Sequence, residues 1–298
     1  MTPAATVPPV AYGLALPDLT GARRLLRTAG GHETTWRIER IVAPADDEVP
    51  TAADRARAVL PMTRGRVDID RARATTTFRA VSPPADDEVV HPYLAATAAT
   101  VAWWRGQVAL HAGAVLVDGR VWAVLGERGA GKSTAMYSLV RAGLPLVTDD
   151  VLVLDGSRVL PGPRCIDLRR PTAEHYGVGQ DIGVVGRRQR FRVEVDDQLD
   201  AGAELELAGL VHLAWGEQTG VDDVPLPARW PALVEALALK LPPADQNAVL
   251  ALLTLPTYRF RRPRRFEEVD RAAHVLAATL SARGVQGLPG PATPAAAG

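Results

Sequence analysis

Residues 126–134 read GERGAGKST and fill the pattern G-x-x-x-x-G-K-[ST] with Gly126, Gly131, Lys132 and Ser133. Glycines at these places let successive backbone N–H groups turn toward an anion, and a helix opening at Lys132 adds its positive end. Lys132 is expected on the β- and γ-phosphates of ATP and Ser133 on Mg²⁺. The candidate nucleotide-binding loop is therefore Gly126, Glu127, Arg128, Gly129, Ala130, Gly131, Lys132, Ser133 and Thr134. Glu127 would repel phosphate and is expected to point outward; Arg128 is expected to be solvated.

The loop does not say where the terminal phosphate goes. Asp149 and Asp150 follow 17 and 18 residues after Lys132. A three-turn helix and a short turn use up that distance, which predicts that the next strand returns directly beside the loop strand. Its flanks, LPLVT and VLVL, are apolar. Paired carboxylates between buried strands need a partner, and a metal is the natural one. One aspartate can hold Mg²⁺ together with Ser133, and the other can take the proton of an attacking hydroxyl. The spacing does not decide which. The pair puts transfer to a hydroxyl ahead of hydrolysis or simple binding.

Elements that must position these groups are legible on both sides. Val115–Val117, Asp118-Gly119 and Val121–Leu125 predict a hairpin that runs into the loop. A helix over Lys132–Arg141 follows, closed by Gly143, then a strand over Leu146–Thr148 and a hairpin turning at Asp155-Gly156. Leu205–Trp215 reads as a buried strand, and Leu233–Leu241, Ala244–Leu253 and Phe266–Ala282 as helices. Upstream, residues 36–43 and two segments within Arg64–Ala80 read as strands, and Pro92–Arg105 as a helix. The string PADDEV, at Pro44–Val49 and Pro84–Val89, reads twice as an acidic loop. Pro171–Val195 is rich in Gly and Arg and gives no assignment. The expected organisation is a loose segment over 1–9, a small mostly-β region over 10–90, an α/β nucleotide-binding domain over 91–283 and a loose tail over 284–298.

Composition narrows the partners. Lys+Arg and Asp+Glu number 34 each in 298 residues, so the balanced charge argues against nucleic acid. No run of residues is long and apolar enough for a membrane span, and the first residues lack a signal-peptide pattern, which together predict a cytoplasmic protein. The single cysteine, Cys165, excludes an intrachain disulfide and reads as a small buried hydrophobe. His32, His91, His175, His212 and His274 show no metal-ligand spacing, and Trp103-Trp104 read as core. The clusters Arg187–Arg192 and Arg259–Arg265 read as solvated faces, with an arginine on the transferred phosphate as the functional alternative.

The segments LHAGAVLVDGRVWAVLGERGAGKST and RAGLPLVTDDVLVLDG resemble the catalytic domain of the HPr kinase/phosphorylase family, well over Leu110–Leu160 and more loosely to about Leu280. The resemblance implies a core similar to that of phosphoenolpyruvate carboxykinases, with inserted β-hairpins. It implies ATP- and Mg²⁺-dependent phosphorylation of a serine-like hydroxyl on a peptide, protein or small molecule, and an oligomer. By position, Asp149 and Asp150 match the family's paired carboxylates, and His111 its histidine near the active centre. The family signature L-E-x-R-G-x-G is replaced by CIDLRRP, with Asp167 in place of Glu and Arg170 in place of Gly. Asp167 is thus either a further metal carboxylate or a salt-bridged residue. The general layout also resembles the kinases that tailor lasso peptides. The alternative function is a nucleotide-dependent regulatory module with slow ATPase activity.

Overall fold

The computed structural model describes residues 7–46, 48–185, 188–196, 198–199 and 204–286. Among the described residues it is a mixed α/β fold with five sheets. The site is organised by a six-stranded sheet in the order Leu146–Thr148, Gly113–Val117, Arg120–Leu125, Leu207–Trp215, Thr257–Arg262, Gly220–Asp223. The predicted hairpin sits at its middle. Asp118 and Gly119 both take positive φ, 48° and 76°, as a two-residue turn matched to strand twist requires. The strand Arg120–Leu125 pairs in parallel with Leu207–Trp215, which pairs in parallel with Thr257–Arg262.

Alternation along these strands builds two cores. Val115, Val117, Trp122, Val124, Val211, Leu213, Tyr258 and Phe260 face the helices Lys132–Arg141 and Val269–Gln286. Ala114, Val121, Ala123, Leu125 and Leu210 face the other way, toward Leu233, Val249 and Leu252. Period-two burial on both faces is what a central strand demands. A third cluster joins the N-terminal sheets, through Leu16, Trp36, Ile69 and Phe78, to the Ala-rich helix Leu94–Trp104 and to Val151, Val153 and Cys165. The helix expected to open the nucleotide-binding region thus shares its core with the N-terminal strands.

Several expectations change at this level. Pro9 belongs to a strand instead of the loose segment: Pro9–Ala11 pairs with Leu14–Ala15 and Arg27–Thr28, while residues 1–6 lie outside the described residues. The last helix runs to Gln286, past the boundary drawn at Gly284; the rest of the tail lies outside the described residues. The second PADDEV is not a loop. Its Asp86–Glu88 starts a helix, because Glu88 accepts from the Ala85 N–H and Asp86 is held by Arg40 and the Gly21 N–H. The second hairpin turns one residue later than expected, since Asp155 pairs with Arg158. The helix placed at Leu233–Leu241 instead spans Leu226–Ala236, with Pro231 inside it, and the next spans Gln246–Ala251, capped by Asp245. The unassigned stretch folds as a helix, Arg170–Tyr176, and two strands, Gln180–Val185 and Arg188–Glu194, that form a small sheet with Cys165–Arg169. No described helix is long and apolar enough to cross a membrane.

His212 faces Arg259 across the parallel pair, and its Nε2 is buried without a partner among the described residues. Burial, with Arg259 adding to it, pushes its pKa down to about 4 from 6.5. The folded chain resists protonating this ring, so nothing is lost above pH 6.5. As pH falls from 6.5 toward 4 the unfolded chain gains the proton first, and stability drops by up to roughly 3 kcal/mol. His212→Gln is expected to remove that part of the acid sensitivity, read as a smaller fall in Tm between pH 7 and pH 4.5 than the unsubstituted chain shows.

Candidate functional site

Strand directions bring the chemistry-bearing residues to one edge. The loop strand ends at Leu125 and continues into Gly126. The strand Leu146–Thr148 ends at the same edge and releases Asp149 and Asp150. It does not lie directly beside the loop strand as the spacing suggested. Gly113–Val117 runs between them, antiparallel to both, and sets them about 10 Å apart. That intervening strand starts at this edge, so His111 arrives there too. Trp215 and Arg262 end the next two parallel strands at the same place. Ligands of parallel sheets bind beyond the carboxyl ends of the strands, as this convergence requires.

The glycine loop passes directly into the helix Lys132–Arg141. Gly129 and Gly131 take φ of 97° and 78°, a region that side chains disfavour. At Gly131 a Cβ would also come within 2.9 Å of Arg262 Nη2 and 3.1 Å of the Trp215 ring. Gly131 caps the helix with no side-chain bond, so the first-turn N–H groups face the edge unclaimed by a side chain. Glu127 is exposed, but it borders the cavity instead of pointing away from it. Thr134 shares a 2.9 Å hydrogen bond with Thr172 and ties the helix to Arg170–Tyr176.

The strand carrying the aspartates is fixed from below. Arg27 donates to the carbonyls of Leu146 at 2.7 Å, Val147 at 3.2 Å and Gly162 at 2.9 Å, and Gly162 N–H donates to Val147 at 3.0 Å. The Thr148 hydroxyl donates to the Val151 carbonyl, closing the turn around both carboxylates. Nothing in the sequence marks this clamp, because its partners lie more than 100 residues from Arg27.

The two carboxylates have different surroundings. Asp149 is buried, and its Oδ1 has no hydrogen-bond partner among the described residues. Burial, then the Asp150 charge, pushes its pKa up to about 7 from 3.8, against the pull of Lys132 and the Ser133 hydroxyl. Asp150 opens onto the cavity, with its Oδ1 3.3 Å from His111 Nδ1. Desolvation and the nearby Lys132 charge hold the His111 pKa below its usual value despite Asp150. Lys132 donates to the His111 carbonyl at 2.9 Å; its pKa is lowered by burial, with Asp150 and Asp149 opposing. Among the described residues no group of three His, Cys, Asp or Glu side chains is placed to hold a metal. A hydroxyl and an unpartnered buried carboxylate oxygen are the hard donors that Mg²⁺ takes, and the triphosphate would supply others, so Ser133 and Asp149 fit that ion.

Asp167 is a salt-bridged residue. It is buried, and its two oxygens each accept from Arg192 at 2.8 Å, with His91 Nε2 3.5 Å away. Burial opposes its ionisation, but His91 and Arg192 outweigh that and hold the carboxyl below its usual range. Arg192 is buried with it, and also donates to the carbonyls of Asp87 and His91. Asp167→Asn strands that guanidinium and is expected to cost about 3–5 kcal/mol of stability. In a denaturant titration the midpoint falls, while any dependence on Mg²⁺ keeps its midpoint.

Most of the clustered arginines are exposed, Arg188 in the first cluster and Arg259, Arg261, Arg264 and Arg265 in the second, but each cluster also buries one. In the first, Arg192 is interior, and Arg187 lies outside the described residues. In the second, Arg261 pairs with Asp222 at the surface while Arg262 is only 3% exposed. Arg262 donates to the loop carbonyls of Ala130 at 2.7 Å and Gly131 at 3.2 Å, and its guanidinium lies 4.5 Å from the Trp215 ring. Its Nη1 is buried without a partner among the described residues, and burial pushes its pKa down to about 10. Sequence reasoning gives no sign of Trp215 and singles out no one arginine of the Arg259–Arg265 cluster; the apolar alternation of YRFRR, which turns Arg262 inward with Phe260, was the available signal.

These elements border a cavity of about 1170 Å³ lined by Gly129, Gly131–Thr134, His111, Asp150, Trp215 and Arg262, by Arg169, Arg188 and Arg190, and by Met62 and Tyr93 from the N-terminal side. No protein-family model matches the chain, and no curated protein matches it. Among solved structures the chain is similar to the Hpr(Ser) kinase/phosphatase from Coxiella burnetii, at 14% identity over 59% of this chain and 98% of that one, with a TM-score of 0.28. At that identity and score, the functional reading rests on the geometry of this chain.

Proposed function

We propose that this chain is an ATP- and Mg²⁺-dependent kinase that transfers the γ-phosphate to a serine-like hydroxyl. The observation that carries the proposal is the asymmetry of the aspartate pair. Asp149 is buried beside Lys132 and Ser133 with an oxygen that has no partner among the described residues, while Asp150 stands open to the cavity beside His111.

The roles follow from those surroundings. The loop N–H groups and Lys132 hold the phosphates, and Arg262 braces the loop from behind. Ser133 and Asp149 would hold Mg²⁺, which offsets phosphate charge when bound. Asp150 takes the hydroxyl proton as the acceptor oxygen bonds to the γ-phosphorus and the bond to the β–γ bridging oxygen breaks, releasing ADP. His111, neutral at its lowered pKa, orients Asp150 through Nδ1. The resemblance of the loop and the aspartate pair to the HPr kinase/phosphorylase family supports the same reaction class.

Incubation with γ-labelled ATP, Mg²⁺ and an extract of source cells tests the reading. Label on an alkali-labile, acid-stable phosphoester is expected. Release of inorganic phosphate with no labelled acceptor contradicts the kinase and favours the regulatory module with slow ATPase activity.

A further inference from the structure

The chain has no net charge, yet its cavity does. The lining carries eight basic side chains, from Arg128 to Arg265, against two carboxylates, Glu127 and Asp150. A magnesium-bound triphosphate neutralises only part of that excess.

Three of the eight, Arg169, Arg188 and Arg190, stand together on the small sheet at the cavity wall. Cys165–Arg169 and Arg188–Glu194 pair antiparallel, with Asp167 opposite Arg192 and Arg169 opposite Arg190. The first pair is complementary and closes a buried salt bridge. The second sets two cations face to face, an arrangement that destabilises a sheet. Arg188 follows Arg190 on the same face. Among the described residues no ion pair involves Arg169, Arg188 or Arg190, and the one side-chain hydrogen bond of Arg190 is a long one of 3.5 Å to the Asp167 carbonyl. Burial, then the neighbouring charges of Arg188, Arg190 and Arg128, push Arg169 below its usual pKa. These cations sit on a different element from the glycine loop and face the same space as Asp150.

We infer that Arg169, Arg188 and Arg190 form a subsite for a carboxylate or phosphate carried by the acceptor next to its hydroxyl. The inference rests on the kinase reading for the word acceptor; the subsite itself rests on the like-charged pair and the cavity. Guanidinium forks match both anions through paired N–H donors, and an anion between them turns the repulsion into attraction.

The test reads binding, so a failure of transfer is told apart from a failure of the subsite. Fluorescent peptides with Asp-flanked or Gly-flanked serine are titrated against the full chain with a non-hydrolysable ATP analogue and Mg²⁺. The acidic peptide is expected to bind at least about tenfold more tightly at low salt. In R188Q/R190Q that preference disappears, while ATP affinity changes by no more than about twofold. With the like-charged opposition gone, the same variant melts no lower than the parent chain. Equal binding of the two peptides overturns the inference. So does a variant that loses ATP affinity but keeps the acidic preference, because the cluster would then serve the nucleotide phosphates.

Discussion

Asp150→Asn is expected to slow phosphoryl transfer by about 10²–10⁴-fold while leaving ATP binding within about twofold. The substitution keeps size and shape and removes the cavity-facing carboxylate that stands beside His111 and Lys132. His111 does not replace it, because desolvation and Lys132 depress its basicity, and its Nδ1 faces Asp150. The loop, Lys132, Ser133 and Asp149 are untouched, so the nucleotide site persists. Single-turnover transfer with isothermal titration of a non-hydrolysable analogue separates the two quantities. A variant that binds poorly and transfers poorly in proportion would place Asp150 on the nucleotide instead.

Lys132→Ala is expected to reduce nucleotide affinity by about a hundredfold or more and to bring transfer to background. Two losses combine. The phosphates lose a charge-assisted donor, and Asp149 and Asp150 lose the cation that offsets their mutual repulsion. The carboxyl of Asp149, already up to about 7, rises further and holds a proton at neutral pH, which disfavours a cation there as well. Lys132→Arg does not rescue, since the longer planar group cannot reproduce the 2.9 Å bond to the His111 carbonyl. The check is nucleotide affinity with and without Mg²⁺. An alanine variant that binds ATP normally removes the glycine loop from the account.

Local signals in the sequence carried the parts of the site that are made locally. Asp118-Gly119 predicts its own turn, Gly131-Lys132 its own helix start, and Gly143 the helix end, whose N–H bonds back to Val140 at 2.9 Å. Chain distance failed where sheet order mattered. The short spacing between Lys132 and Asp149 suggested neighbouring strands, but Gly113–Val117 has edges for two partners and takes the place between them. Burial of charge was hidden for a related reason. Arg192 and Arg262 sit in strings that look solvated, and the partners that hold them inside are distant in the chain, among them Asp167, 25 residues from Arg192, and the Ala130 carbonyl, 132 residues from Arg262. The Gly- and Arg-rich stretch before Val195 concealed a hairpin because one of its faces lines a charged cavity instead of an apolar core. Its composition reads as loop for the same reason that it reads as a site.

The central claim is that two adjacent carboxylates divide metal binding from proton removal. A Mg²⁺ titration of nucleotide binding and of transfer, run on Asp149→Asn and Asp150→Asn together, tests it most directly. The account predicts that Asp149→Asn raises the Mg²⁺ midpoint by about tenfold or more, and that Asp150→Asn keeps the midpoint but loses transfer. Equal shifts in both variants, or the reverse assignment, would contradict it.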